Sequence, residues 1–475
     1  MKKIIALILT LSVLSLASIC MIGNIINSEK ENVTIRENVI FGDRSYAEGI
    51  KIFTRAKYMG NLFWNTLYTI GGSANTDYEF HYNKYYEYGE REYMGLDLEF
   101  DFAYGVNSIT PLEDLTGIER AYRELADATK PGEENTKHIY LQDYYDYYPI
   151  AVSVSLPGIL WQGNDYERLA SEDAVNERAV WDKFREFFKI PIPDDLPGID
   201  ISVGKDSRGN VVSVGSGGES SPFYSHSTYT DTKCFFSIIN RYTNENSESK
   251  HYDTSLIPGG YGIYAFDYEK VRDTSNTYGS TTVFKEGYET GIKEETLRLV
   301  YPLKQDAEVM YLSASKDGSK LLIFTEEKGA TYLNVADTET FTELQRFKVA
   351  DDSKVGTYYE YDSFIVLEGY QEDLNISVIE ICEDGTYRLA FSVPGSQWSE
   401  YYSIQDIAFN GRELAIITNM YNESPLFELC GFAVSIYNSS GLVYYGEYES
   451  SLSLNQSYID YSVKCSPVRF EISWK

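Results

Sequence analysis

The densest grouping of residues able to do chemistry is Asp143-Tyr144-Tyr145-Asp146-Tyr147-Tyr148, followed by Pro149. Phenol rings offer apolar faces to sugar C–H groups or proline, and carboxylates accept hydrogen bonds from hydroxyls, so the segment reads as a candidate glycan or peptide site. The plainer alternative is an alternating strand with its tyrosines buried on one side. A second grouping is Asp97, Glu99 and Asp101 in LDLEFDF. Period-two spacing puts these carboxylates on one face of a strand, opposite Leu96, Leu98, Phe100 and Phe102. Oxygen ligands so placed can hold Ca²⁺, or raise one another's pKa enough to supply an acid. A solvated outer strand face is the plainer reading, and no cofactor other than such a Ca²⁺ is expected.

Other chemistry has little to work with. The four histidines, His81, His138, His226 and His251, show no HxH, HExxH or Cys-His spacing. Ser313-Ala314-Ser315-Lys316 and Ser247-Glu248-Ser249-Lys250 both spell SxxK, but SDN and KTG partners are missing and the first copy lies in a hairpin, so both read as chance matches. No catalytic residue is assigned. Of the five cysteines, Cys234, Cys382, Cys430 and Cys465 are widely separated and form no CxxC pair.

The fifth cysteine, Cys20, belongs to the N-terminus. Lys2 and Lys3 precede an uncharged run from Ile4 to Ile26, a pattern that holds the start of a chain on the cytoplasmic side and sends the rest across. The run exceeds the roughly 7–15 residues of a signal h-region and reaches the roughly 20 of a spanning helix. Residues 1–26 are therefore expected to be a retained signal anchor, with two alternatives left open. One is a cleaved signal peptide; the other is lipidation at Cys20, although Ile19 stands where a lipobox has a small residue. The polar residues 27–48 are expected to form a stalk. A formal net charge of −31 argues against nucleic acid as a partner and fits a body soluble outside the cytoplasm.

The elements that must position these residues are strands. Tyr, at 43 residues, and Phe, at 23, favour pleated, half-wet surfaces. The stretch Val309–Val349 parses as four short strands, broken at Lys316-Asp317-Gly318-Ser319, at Lys328-Gly329 and at Thr338-Glu339-Thr340. Asp-Gly between apolar runs is a strong hairpin signal because Gly accepts positive φ. Aligning VADTET at Val335 with AFDYEK at Ala265, ICEDGT at Ile381 and IYNSSG at Ile436 suggests four such units between Cys234 and Ser451. Strand-like segments from Gly49 to Tyr104, LDLEFDFAY included, predict another. Two amphipathic helices are expected near 111–128 and 166–189. The last alternating segment, Val468–Trp474, is expected to pair with a strand near residues 50–70, because an open sheet edge invites aggregation.

SASKDGSKLLIF followed by TYLNVADTET resembles the WD40-like and TolB-like propeller repeats, with Ser-x-Asp-Gly before one strand and a second Asp turn after the next. The resemblance implies a β-propeller of about six to eight four-stranded blades over residues 49–475, carrying two inserted amphipathic helices and following an N-terminal hydrophobic helix. Propellers host many activities, so it implies no reaction. The expected function is an extracytoplasmic, membrane-tethered binding or scaffold module for a protein or glycan at the cell surface. A carbohydrate-active hydrolase or lyase on the same fold, and an accessory subunit of a membrane transporter or sensor, stand as alternatives.

Overall fold

The computed structural model describes residues 2–58, 62–80, 95–100, 106, 111–112, 115, 117–156, 159–162, 175–217, 225–269, 291–351, 354–370, 374–395, 404–421, 429–452 and 466–474. Antiparallel sheet dominates them, with helices at Lys2–Glu31 (α1), Gly117–Ala128 (α2) and Val175–Phe187 (α3). The fold class is all-β, of the β-propeller type. The chain divides into two compact units, one made of 1–88 with 356–475 and the other of 89–355.

The 89–355 unit holds the clearest blade. Strands Glu308–Ala314, Lys320–Glu327, Ala330–Asp337 and Glu343–Asp351 pair in that order, as the turn residues predict. Asp317 accepts from the backbone N–H of Ser319 at 3.1 Å, and Gly318 sits at φ 70°. Lys328 and Gly329 both have positive φ, at 52° and 84°, the backbone a two-residue hairpin needs to match strand twist. Leu321, Leu322, Ile323 and Phe324 are all buried, because a middle strand of a blade is covered on both faces. Inside this doubly covered layer, Asn334 Nδ2 donates to the Ile323 carbonyl at 3.1 Å and to Thr325 Oγ1 at 2.9 Å, so its polarity is satisfied.

A second four-stranded sheet, Ser225–Tyr229, Lys233–Ile238, Gly262–Tyr268 and Ile292–Pro302, packs on this one through Phe235, Ile263, Ala265 and Val300. The leading strands touch: the Ala314 N–H donates to Thr228 Oγ1 at 3.0 Å, and the Leu96 N–H to Ser227 Oγ at 2.9 Å. Leu96 lies on Gly95–Phe100, which leads a three-stranded sheet with Ile150–Leu156 and Ile159–Gln162. This corrects the expectation that LDLEF completes a blade with residues 49–80. Its apolar face, Leu96 and Leu98, belongs to the core that α2, α3 and a further sheet of 134–139, 199–205 and 211–217 share.

The first inserted helix is shorter than its pattern. α2 starts at Gly117 rather than near Pro111, because Gly117 takes φ 59° and interrupts helical backbone there. The described part of α3 begins at Val175, and residues 166–174 of the expected helix lie outside the described residues.

The other unit begins within the strand Lys354–Glu360, which forms one blade with Phe364–Tyr370, Leu374–Ile381 and Tyr387–Pro394, and Ile404–Phe409, Leu414–Tyr421, Leu429–Asn438 and Gly441–Ser450 form the next. The aligned motifs at Ala265, Val335, Ile381 and Ile436 all fall on, or at the end of, the third strand of their sheets. The remaining blade joins Lys51–Tyr58, Leu62–Thr69 and Ala74–Phe80 to Ser466–Ser473, with Lys51 opposite Ser473 and Thr54 opposite Phe470. The C-terminal segment thus pairs where the sequence places it.

The stalk expectation is corrected. Residues through Glu31 continue α1, and Ile35–Gly42 is a fifth strand on the 404–450 blade, with Ile35 opposite Ser450. Polar composition misleads here because an edge strand exposes most of one side. Its anchor is Glu37, which is opposed by Tyr448 in the ladder and accepts from Tyr444 Oη at 3.0 Å while pairing with Arg44 at 2.7 Å.

Candidate functional site

The first functional element is α1. Leu11, Val13, Leu14, Leu16, Ile19, Met21, Ile22 and Ile25 are all more than half exposed, and at 100° per residue they cover every side of the helix. A stretch from Thr10 to Ser28 is long and apolar enough to cross a bilayer. Its far end is not free. Ile26 packs against Ala56, Leu62 and Trp64, and Lys30 reaches Asp77 at 3.8 Å and the Tyr78 ring at 5.9 Å. Cys20 is an exposed free thiol within the apolar stretch.

The Asp143–Tyr148 segment is not an alternating strand. A 3-10 turn at Leu141–Asp143 passes into a loop, because the preceding strand ends at Ile139 and Tyr148 must reach the core. Tyr148 is buried at 4% exposure, while Asp143, Asp146 and Tyr147 face solvent. Tyr144 and Tyr145 are half-buried. The Tyr145 hydroxyl accepts the Ile118 N–H at 2.9 Å, satisfying one of the orphan donors at the start of α2.

Tyr148 ends an aromatic chain that sequence spacing does not reveal. Its ring meets Tyr252 edge-on at 5.3 Å, and Tyr252 stacks on Tyr242 at 5.0 Å. Tyr242 Oη donates to Asp195 at 2.9 Å, and Asp195 also accepts from Asn244 Nδ2 at 3.1 Å and from the Lys250 ammonium. Lys250, with Asn244 and Tyr242, holds the Asp195 carboxyl down at about 2. Burial, with Asp195 adding to it, pushes the Tyr242 phenol up to about 12. Both settings keep the carboxylate and the phenol in single protonation states at neutral pH, so the cluster serves as a fixed pattern of charge and hydrogen bonding. Of the residues around Asp195, the sequence reading touches only Lys250, as part of an SxxK match taken to be chance.

The remaining sequence candidates do not converge. The backbones of Asp97 and Glu99 pair with Ser153 and Ala151, and their side chains, like all of Asp101, lie outside the described residues. His138 Nδ1 bonds Asp200 at 2.8 Å, and burial lowers the pKa of His226. His81 lies outside the described residues. The Lys250 of the second SxxK match is held by Asp195, and Ser247 stands in a turn at φ 61°. Among the described residues, no group of His, Cys, Asp and Glu is placed to hold a metal.

Sequence reading also passed over Asp406. Its carboxylate accepts the Ile472 N–H at 2.8 Å and the Tyr361 hydroxyl at 3.2 Å, and it sits at the wall of a groove of about 690 Å³ lined by Lys51, Phe53, Leu67, Arg469 and Glu471. Charges of both signs beside two apolar side chains suit a polar ligand with one hydrophobic edge.

No protein-family model and no curated protein matches the sequence. Solved structures with similar folds include a chain of the mitotic checkpoint complex at 10% identity and TM-score 0.24, with 46% of this chain aligned to 48% of that one. Others are a β-propeller domain from Myceliophteria thermophila, at 12% identity, TM-score 0.22 and 55% against 83% coverage, and the periplasmic gluconolactonase of Pseudomonas aeruginosa, at 12%, 0.27 and 58% against 66%. The chain spans about half the length of the first of these and just under two thirds of the last. The blade assignment rests on the strand ladders described above.

Proposed function

We propose that the chain is an extracytoplasmic β-propeller held at a membrane by α1, and that it acts as a binding or scaffold module for a protein or glycan at the cell surface. The observation that carries the membrane part is the ring of exposed apolar side chains on α1, which in water would cost roughly 1.5–3 kcal/mol for each large residue left uncovered. Lipid covers such a surface on every side at once. Support for binding comes from the solvent-facing Asp143, Asp146 and Tyr147, presented on a loop whose neighbours Tyr145 and Tyr148 are fixed by α2 and the core.

The test has two arms. Full-length protein should stay in the membrane pellet through alkaline carbonate and leave it in detergent, whereas a variant lacking residues 1–31 should be soluble. In the second arm, a photo-crosslinking side chain at Tyr147 on intact cells should capture a surface protein or glycan, and the same group at Val212, an exposed strand position, should not. Equal labelling at the two positions would remove the loop from the proposal.

A further inference from the structure

We infer that one blade lies directly against the bilayer, with the end of the 51–80 sheet that carries Ala56, Leu62, Trp64 and Tyr78 set at the level of the phospholipid headgroups. The inference rests on the anchor reading of α1 and adds a lipid contact surface on the folded body.

Length carries the argument. From Ile4 to Ile22, α1 rises about 28 Å at 1.5 Å per residue, close to the roughly 30 Å of a hydrocarbon core. Ile22 and Ile25 are exposed, and Ile26, one turn beyond Ile22, is the first described residue of α1 to pack on the sheet. The apolar requirement is therefore spent just where contact with protein begins. Lys30 follows one turn further, about 6 Å along the axis, and each polar layer of a bilayer is roughly 5–7 Å deep. The contacts of Lys30 with Asp77 and Tyr78 thus fall within that layer.

The junction has no slack to carry the body away. Only Asn32, Val33 and Thr34 separate α1 from the strand at Ile35. Thr34 and Ser451 exchange hydrogen bonds, the Thr34 N–H donating to Ser451 Oγ and the Ser451 N–H to the Thr34 carbonyl, both at 2.9 Å, and Val33 is buried. Chemistry at the sheet end matches the position. Tyr78, half-buried, meets the buried Trp64 edge-on at 6.3 Å, and exposed Phe80 follows it, so a partly exposed phenol and a ring stand where aromatic side chains favour the membrane–water interface. Arg55 lies over the Phe63 ring at 4.6 Å and bonds Glu79 at 3.2 Å, which puts a guanidinium near that same end of the sheet as a donor to phosphate oxygens.

The experiment uses full-length protein, freed of its native cysteines, in vesicles of phosphatidylcholine with one fifth phosphatidylglycerol. A fluorophore is placed by Val13→Cys, Glu79→Cys or Ser73→Cys, one at a time. Ser73 lies in the turn at the opposite end of the same sheet from Glu79, about 20 Å away along the strand. Acyl-chain nitroxide lipids should quench the label at position 13, and headgroup nitroxides should quench position 79 at least threefold more than position 73. Inserting a 20-residue Gly-Ser spacer after Glu31 should erase the difference between 79 and 73 and leave position 13 unchanged. Quenching at 13 with equal quenching at 79 and 73 overturns the headgroup contact alone. No quenching at 13 overturns the anchor reading and this inference with it.

Discussion

The carboxylate of Asp406 accepts the backbone N–H of Ile472 at 2.8 Å. A side chain on the leading strand of one blade thereby pins the C-terminal strand of the next, and Trp474 Nε1 adds a bond to the Ala408 carbonyl at 3.2 Å. The same carboxylate takes the Tyr361 hydroxyl from the preceding blade.

Removing this link should cost stability. Asp406→Ala leaves the Ile472 N–H and the Tyr361 hydroxyl without their acceptor, at about 1–3 kcal/mol each when the donor stays unsatisfied. Thermal melting should show a lower midpoint, and deletion of residues 466–475 a much lower one. Glu471→Ala, on the same strand but pointing to solvent and Arg469, should change little.

Acid sensitivity should trace in part to Asp195. Its carboxyl titrates at about 2 when folded, below its ordinary value near 3.8. A depressed carboxylate pKa stabilises the fold above the unfolded value, and that contribution is lost as pH falls from about 4 toward 2. Asp195→Asn should be less stable than the parent at pH 7, with the gap closing by pH 2. A gap of constant size in pH-dependent denaturant titrations would sever Asp195 from acid unfolding.

The two neighbouring tyrosines should part company. Tyr148→Ala opens a cavity under Tyr252 and should cost about 3–5 kcal/mol, read as a shift in urea midpoint. Tyr147→Ala should stay within about 0.5 kcal/mol of the parent. If ligand binding runs through this loop, Tyr147→Ala weakens it without touching the melt.

At the Asp-Gly turn, Gly318→Ala puts a Cβ on backbone at φ 70°. Left-handed backbone costs an L-residue about 1–2 kcal/mol, and the turn has no slack, since Gly318 N–H bonds the Ser315 carbonyl at 2.7 Å. Guanidinium unfolding should report a loss of that size; an unchanged midpoint would mean that the turn relaxes.

The blades from Glu308 onward were legible because their turns carry residues with one physical use, as Gly318 and Gly385 do, both at positive φ. Middle strands such as Leu321–Phe324 announce burial on two faces by losing alternation. The closing strand was legible because Phe470 and Ile472 alternate with Arg469 and Glu471. What failed did so where partners are remote in sequence. Asn38 and Val39 look like linker until Glu447 and Gly446 are placed beside them, and Leu96 looks like a neighbour of Tyr78 until Val154 claims it. The candidate site was least legible. Tyr242 and Lys250 face each other in one short hairpin, but Asp195, which joins them, comes from a separate segment, and the tyrosine-rich run that drew attention spends Tyr148 on packing and Tyr145 on a helix end.

Thr34 meets Ser451 across 417 positions of chain, and Lys51 waits as long for Ser473. Closing a loop of that length carries an entropic penalty of about 5 kcal/mol before any contact rewards it. During synthesis the early strands must therefore stand with bare edges until nearly the whole polypeptide has emerged. Whatever guards those edges in the interval decides the yield of native protein.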